Sequence, residues 1–225
     1  MLIPYDRPIP ALLEFISMWV PDLRPAHGID AALLPSFIPP PLRAIYELAG
    51  NYPVHYTEQW RRPYWTPGLF GTQDQLLPPD QLEINDGRFR FIHENQGVWW
   101  CETLIDHNDP PVYANIDDNR AHEVCSTLSN FLTTFCLQEL VFGAKRLFAA
   151  DSGLAAIGDL TLEAPKEIWD NGVYVWSGLT NLTYSYYLCG GRLMVMDSGD
   201  DYWLAYNDES AASLINPTAD IWPIH

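Results

Sequence analysis

Two carboxylates, Glu94 and Glu102, flank a turn near the middle of the 225-residue chain. Glycoside hydrolysis needs two carboxyls held at a defined separation across a cleft, and the surrounding aromatic residues would suit sugar stacking. The plainer reading is that Glu94 accepts backbone N–H groups of the turn it begins. Cys101 lies close in sequence to His93 and His107, which would allow a thiol–imidazole pair, although buried thiols and hydrogen-bonded histidines are commoner. Asp197, Asp200 and Asp201 lie together but lack the alternating oxygen ligands and distal Glu of a calcium loop. Turn and cap preferences explain them, and no metal is expected. The chain has neither a Gly-x-Ser-x-Gly elbow nor a phosphate-cradling glycine loop. No catalytic residue and no cofactor is assigned.

The elements around these residues follow from periodicity and punctuation. Asp86-Gly87 marks a turn, after which alternation places Arg88, Arg90 and Ile92 on one side of a strand and Phe89, Phe91 and His93 on the other. Glu94 to Gly97 is a polar turn, and Val98-Trp99-Trp100 begins the next strand with its two indoles on opposite faces. Pro10 to Trp19 reads as a short helix. Leu42 to Ala49 reads as another, with Leu42, Ile45, Tyr46 and Ala49 inward and Gly50 as a left-handed cap. Asp117-Asp118-Asn119 reads as a turn and cap before a helix from about Arg120 to Phe142, with Val124, Leu128, Phe131, Leu132 and Phe135 on one stripe and Gly143 at its end.

Beyond it, Ala144 to Gly158 is assigned to a further helix or two. Asn171-Gly172 signals a hairpin between Ile168-Trp169 and Val173 to Trp176, and Cys189 to Arg192 a second between Thr183–Leu188 and Leu193–Met196. Leu193 to Met196 is apolar on both faces, as a central strand would be. Asp197 to Asp201 is a turn before Tyr202 to Tyr206. Runs of strands and runs of helices, without strict alternation, give an α+β fold with a mainly antiparallel twisted sheet, helices on one face and extra C-terminal hairpins. The stretch 51–79 mixes prolines with Tyr52, Tyr56, Trp60, Tyr64, Trp65, Arg61 and Arg62, and is read either as a recognition loop or as an arm over the core.

The Glu94-Asn95-Gln96 turn feeding a strand with Trp100, then Pro110-Pro111-Val112-Tyr113, then Leu128-Ser129-Asn130-Phe131-Leu132 on a helix, resembles the SUKH superfamily. These are bacterial toxin-immunity proteins related to a yeast cell-wall-synthesis regulator. Leu34-Pro35 and the segment from Pro41 to Gly50 are similar to the family's opening helix. The resemblance covers about residues 35–141 on short motifs. It implies one domain over 1–225, with a strand-rich extension over about 160–208, and no catalytic residue. Gly50, Glu94, Asn95, Gln96, Trp100 and Pro111 would be structural parts of the family pattern. It also implies the function: binding and neutralising a cognate protein toxin.

Composition bears on the partner. Twelve basic against 29 acidic residues give a net charge of −17, which repels nucleic acid and anionic lipid and favours association with a basic protein such as a nuclease-type toxin. From Leu147 onward only Lys166 and Arg192 offset the acids. The contact residues expected on this basis are Asp106, Asp109, Asp117, Asp118, Asp197, Asp200 and Asp201, with Trp99 as an aromatic anchor. Cys101, Cys125, Cys136 and Cys189 have no zinc-type spacing, and Cys125 and Cys136 fall on one predicted helix, too far apart to bridge. Reduced thiols, no basic leader, and an apolar run over 9–20 too short to span a bilayer point to a cytoplasmic protein, monomer or homodimer. Two other functions remain open: a hydrolase of a carbohydrate or small polar substrate, and a scaffold or regulatory interaction domain unconnected with toxins.

Overall fold

The computed structural model of the protein describes residues 2–52, 69–116, 120–153, 155–175, 177 and 182–224. Among them the helices are α1 (Pro8–Trp19), α2 (Pro40–Ala49), α3 (Leu128–Phe142) and the short α4 (Ile157–Leu160). The strands are β1 (Asp74–Leu76), β2 (Ile84–Asn85), β3 (Arg88–Glu94), β4 (Trp99–Leu104), β5 (Val112–Ile116) and β6 (Ala121–Cys125) before α3. After it come β7 (Arg146–Asp151), β8 (Lys166–Gly172), β9 (Tyr184–Cys189), β10 (Leu193–Asp197), β11 (Asp201–Tyr206) and β12 (Trp222–Pro223). No helix among the described residues is long and apolar enough to cross a membrane.

The fold is α+β with antiparallel pairing, as periodicity implies, but the strands form two six-stranded sheets. The first runs β1-β3-β4-β5-β6, with β2 also on β3, and the second runs β12-β7-β11-β10-β9-β8. The strands beyond α3 therefore build a separate layer and do not extend the first sheet. Between the layers lies α3, and its sequence explains the placement. Apolar side chains occur on every side of this helix, so it must be covered all round, and every residue from Leu128 to Val141 is buried. Phe131 meets Phe91 of the first sheet edge-on at 6.1 Å. On the other side, Thr134 accepts a hydrogen bond from the Trp169 indole through Oγ1 at 3.1 Å and one from the Tyr186 hydroxyl through its carbonyl at 3.2 Å.

Prolines at the first helical position open α1 and α2, where the missing N–H costs nothing. Helix α2 buries Leu42, Ile45, Tyr46 and Ala49. Gly50 is not a left-handed cap, since its φ is −63°. It is glycine because a Cβ there would lie 2.6 Å from the Ile29 side chain and 2.8 Å from the Tyr46 carbonyl.

Four further expectations are corrected. The helix predicted from Arg120 begins only at Leu128, because Ala121–Cys125 pairs with β5 as an edge strand. Cys125 is thus on a strand, and all four cysteines are buried free thiols. Residues 146–151, expected to be helical, form β7 against β11. Asn171 does take a positive φ of 52°, yet β8 runs through Gly172 and pairs with β9 across two register shifts. Tyr174 leaves the sheet for the core, where it stacks on Phe131 at 5.6 Å.

The hairpin around Gly190-Gly191 forms as expected. Both glycines have positive φ, 53° and 71°, as a primed two-residue turn demands. Strand β10 is buried along Leu193–Met196: Met194 and Met196 face the α3 core, while Leu193 and Val195 face a second core that includes Leu160, Ala211 and Leu214.

Candidate functional site

The turn between β3 and β4 lies at one end of the first sheet, and the turn between β10 and β11 approaches it from the second. Between them opens a cleft of about 560 Å³, with Gln138 and Phe142 of α3 in its wall. Four carboxylates line it: Asp74, Glu94, Asp200 and Asp201. No Lys, Arg or His among the described residues does.

Glu94 is buried, and its Oε2 accepts the amide N–H groups of Gln96 at 2.7 Å and Val98 at 3.0 Å. It is a turn anchor, as its plainer reading holds. The Asn95 amide donates to the Gln73 carbonyl at 2.8 Å, tying the turn to β1, and Gln96 lies exposed at the cleft. Asp74 pairs directly with Glu94 across β1 and β3 and accepts the Tyr174 hydroxyl at 2.5 Å. Burial first, and then the charge of Glu94, push Asp74 up to about 6, against the hydrogen bond from Tyr174.

Beneath the cleft, Glu139 of α3 is fully buried and accepts three consecutive amides: Thr72 at 2.7 Å, Gln73 at 3.0 Å and Asp74 at 2.9 Å. Burial, followed by repulsion from Asp74, raises it to about 8. This carboxylate fastens the start of β1 to the central helix. Next to it, Gln138 is only 5% exposed and lines the cleft, and its amide is not one of the sealed, unpartnered polar atoms of the core.

The second sheet supplies the rim. Asp197 Oδ1 accepts the Gly199 amide at 2.8 Å and shapes the turn. Asp200 and Asp201 border the cleft, and Asp201 is paired directly across from Asp151 of β7, a like-charge juxtaposition that destabilises a sheet.

The other expected contact residues are dispersed. Asp106 and Asp109 lie in the loop after β4, at the end of the first sheet away from the cleft, about 20 Å along a six-residue strand. Asp109 caps α3 from outside: its carboxylate accepts Ser129 N–H at 2.8 Å and Ser129 Oγ–H at 2.6 Å. Asp117, Asp118 and Asn119 lie outside the described residues, as does the aromatic segment 53–68.

Trp99 is not an exposed anchor. It is 3% exposed and packs edge-on against Tyr174 at 5.8 Å. The indole on the open face is Trp100, under the Arg90 guanidinium at 4.3 Å and donating to Glu102 Oε1 at 2.9 Å. Beside it Arg88 lies 4.0 Å over the Tyr113 ring. The bulge between Arg90 and Ile92 shifts the alternation, so His93 pairs with Trp100 and leaves Phe89 and Phe91 behind. Pro111 is half-buried, its carbonyl accepting Thr103 Oγ–H at 2.9 Å.

These positions decide the chemistry proposed from sequence. Glu94 points inward and Glu102 pairs with Arg90 on the outer face, so the two cannot flank one glycosidic bond. Cys101 is fully buried beside Ile92 while His93 is on the opposite face, and burial holds its thiol well above the usual range. No cluster of three metal-ligating side chains occurs among the described residues.

Sequence reasoning missed Asp74, Gln138, Glu139 and Tyr174. A signal was present for two of them: Gln138-Glu139 is a polar pair within the otherwise apolar second half of the helix, Phe135–Phe142, and such residues are buried only with partners or a task. Compared with known proteins, the chain matches no protein-family model, no curated protein and no solved structure.

Proposed function

We propose that the chain is an immunity-type binding protein of the cytoplasm, which neutralises a basic protein toxin by docking on it through the acidic rim of the inter-sheet cleft. The observation that carries this reading is the cleft itself: four carboxylates and no cation among its described lining residues, with Asp200 and Asp201 at the rim and Asp151 facing Asp201 across the sheet. Like charges gathered at a turn are retained at a cost in stability, and an opposing positive surface relieves them. The resemblance to toxin-immunity proteins supplies the biological role. The net charge of −17 supplies long-range steering toward a basic partner.

The test is to recover the chain's stoichiometric partner from native cells, express that partner alone and together with this protein, and measure growth. Toxicity alone and rescue together support the reading; a harmless partner, or none, overturns it. With the partner in hand, Asp200→Lys with Asp201→Lys is expected to slow association at low salt by tenfold or more, since steering of this kind spans one to three decades in rate. Asp197 is left in place because it holds the turn.

One observation favours a second reading, a hydrolase acting on a small polar substrate. Asp74, in a concave site with its acidity weakened to about 6, has the protonation behaviour of a general acid or base. Its mechanism would run through Asp74 and Tyr174, not Glu94 and Glu102. Turnover of a glycoside or ester panel that vanishes in Asp74→Asn would favour it.

A further inference from the structure

We infer that the inter-sheet cleft is a binding pocket for a single organic cation, a guanidinium or primary ammonium group on an apolar stem. The inference deepens the proposed reading by naming what the basic partner inserts, and it rests on that reading only for the source of the cation.

Gln138 carries the first observation. The residue is 5% exposed and borders the cleft, and its amide is not one of the sealed polar atoms of the core, so the amide faces the cleft. Its carbonyl oxygen is a neutral acceptor presented to whatever enters the cleft. The second observation is charge. Asp74, deep in the cleft, has Oδ2 engaged by Tyr174, and Asp200 sits at the mouth on the far side. Tyr184 lies between them, and after burial the charges of Asp74 and Asp200 raise its hydroxyl above the usual range. Negative potential therefore runs from mouth to floor.

The third observation is shape. Phe142 and Trp203 meet edge-on at 5.0 Å in the wall, offering an apolar and cation-attracting surface for a stem. A bare metal ion fits poorly. Glu94 is occupied by two amides, no three-ligand cluster is present among the described residues, and about 560 Å³ is far larger than an ion needs. A planar guanidinium, with five donors and no acceptor, matches a site with four carboxylates and no Lys, Arg or His among its described lining.

The test uses the intact chain and four probes: acetyl-Gly-Arg-Gly-amide, its lysine counterpart, its citrulline counterpart, and free agmatine. Binding is read by calorimetry and by the fluorescence of the native tryptophans. Saturable binding of a cationic probe at least about tenfold tighter than the neutral citrulline peptide supports the pocket, because a charge-assisted hydrogen bond is worth that much or more. Within that result, preference for the peptides assigns the cation to a protein partner, and preference for agmatine assigns it to a free amine. Equal binding of the citrulline peptide, or no saturable binding of any probe, overturns it.

Gln138→Leu is expected to lose about tenfold in affinity with little change in melting temperature, since the amide is replaced by an apolar group of similar size. If that variant does not fold, Asp200→Asn with Asp201→Asn, at the mouth of the cleft, reads the same site, and unchanged affinity in it at low salt overturns the pocket. The peptide result is independent of toxin rescue. A pocket that discriminates charge in a chain that rescues nothing leaves the inference standing and removes the toxin, and the reverse outcome does the opposite.

Discussion

The two sheets solve different problems with the same antiparallel pairing. The second is covered on both faces, by α3 on one side and by α4 with the turn Glu209–Leu214 on the other, and its central strand β10 is buried along Leu193–Met196. Among the described residues, the apolar core packs on one face of the first. Its other face carries Arg88, Arg90, His93, Trp100, Glu102 and Tyr113, all half-buried and joined into rows by two cation–π contacts and the Trp100–Glu102 hydrogen bond. A strand alternating apolar with polar can leave one side wet, while a continuously apolar strand needs two covers. The lesson is a division of labour: the second sheet buries both faces and borders the cleft around its β10–β11 turn, while the first sheet contributes a turn to the cleft and carries a row of half-buried polar and aromatic side chains on its other face.

The sharpest way to break this comparison is Val195→Asp. A charge placed in the twice-covered strand is expected to cost more than about 4 kcal/mol and abolish cooperative unfolding, as read by thermal melts. The matched change on the wet face, Arg88→Asp, should leave a folded protein.

Next in size is Glu139→Gln. The amide can still serve Thr72 and Gln73 through its oxygen but turns a donor toward the Asp74 N–H, for an expected loss of about 2–3 kcal/mol. The same carboxyl gives a pH signature. With its folded value raised to about 8 from an ordinary 4.5, it holds a proton in the fold where the unfolded chain has released it. Its contribution is complete below about 4.5 and is lost as pH climbs toward 8. Melting temperature should fall across that window, and Glu139→Gln should flatten the slope.

Asp109→Ala removes the external cap of α3 and should cost about 1–2 kcal/mol, read from denaturant midpoints. The smallest effect is expected for Arg90→Ala, which loses one cation–π contact on the wet face, about 1 kcal/mol or less.

How much of this was legible in the sequence follows the same division. Periodicity locates α1, α2 and the second half of the long helix, and glycine chemistry locates the hairpin at Gly190-Gly191, because these depend on neighbours in sequence. The start of α3 was misplaced: residues 121–125 carry no internal mark separating an edge strand from a helical turn, and only pairing with β5 decides. Tyr174 reads locally as a strand residue, since its tertiary stacking on Phe131 has no local mark. The site was legible in its parts. The Asp197–Asp201 turn and the anchoring role of Glu94 are read from turn chemistry, but Asp74 and Gln138 join them only through contacts between distant segments. The indole choice between Trp99 and Trp100 depended on which face of the first sheet is covered.

Helix α3 carries one more implication, for the order of events during synthesis. The helix is complete at Phe142, while every strand of the sheet that covers its second side begins at Arg146 or later. The amide of Ile3, likewise, hydrogen-bonds the carbonyl of Ile168 at 2.9 Å, so a residue made ahead of α1 waits for one made after α3. A nascent chain paused in this interval displays an apolar helix with one flank uncovered, and exposed surface of that kind is what chaperones bind and aggregates grow from. Slowing translation between residues 143 and 206 should therefore harm the yield of folded protein more than the same delay placed earlier.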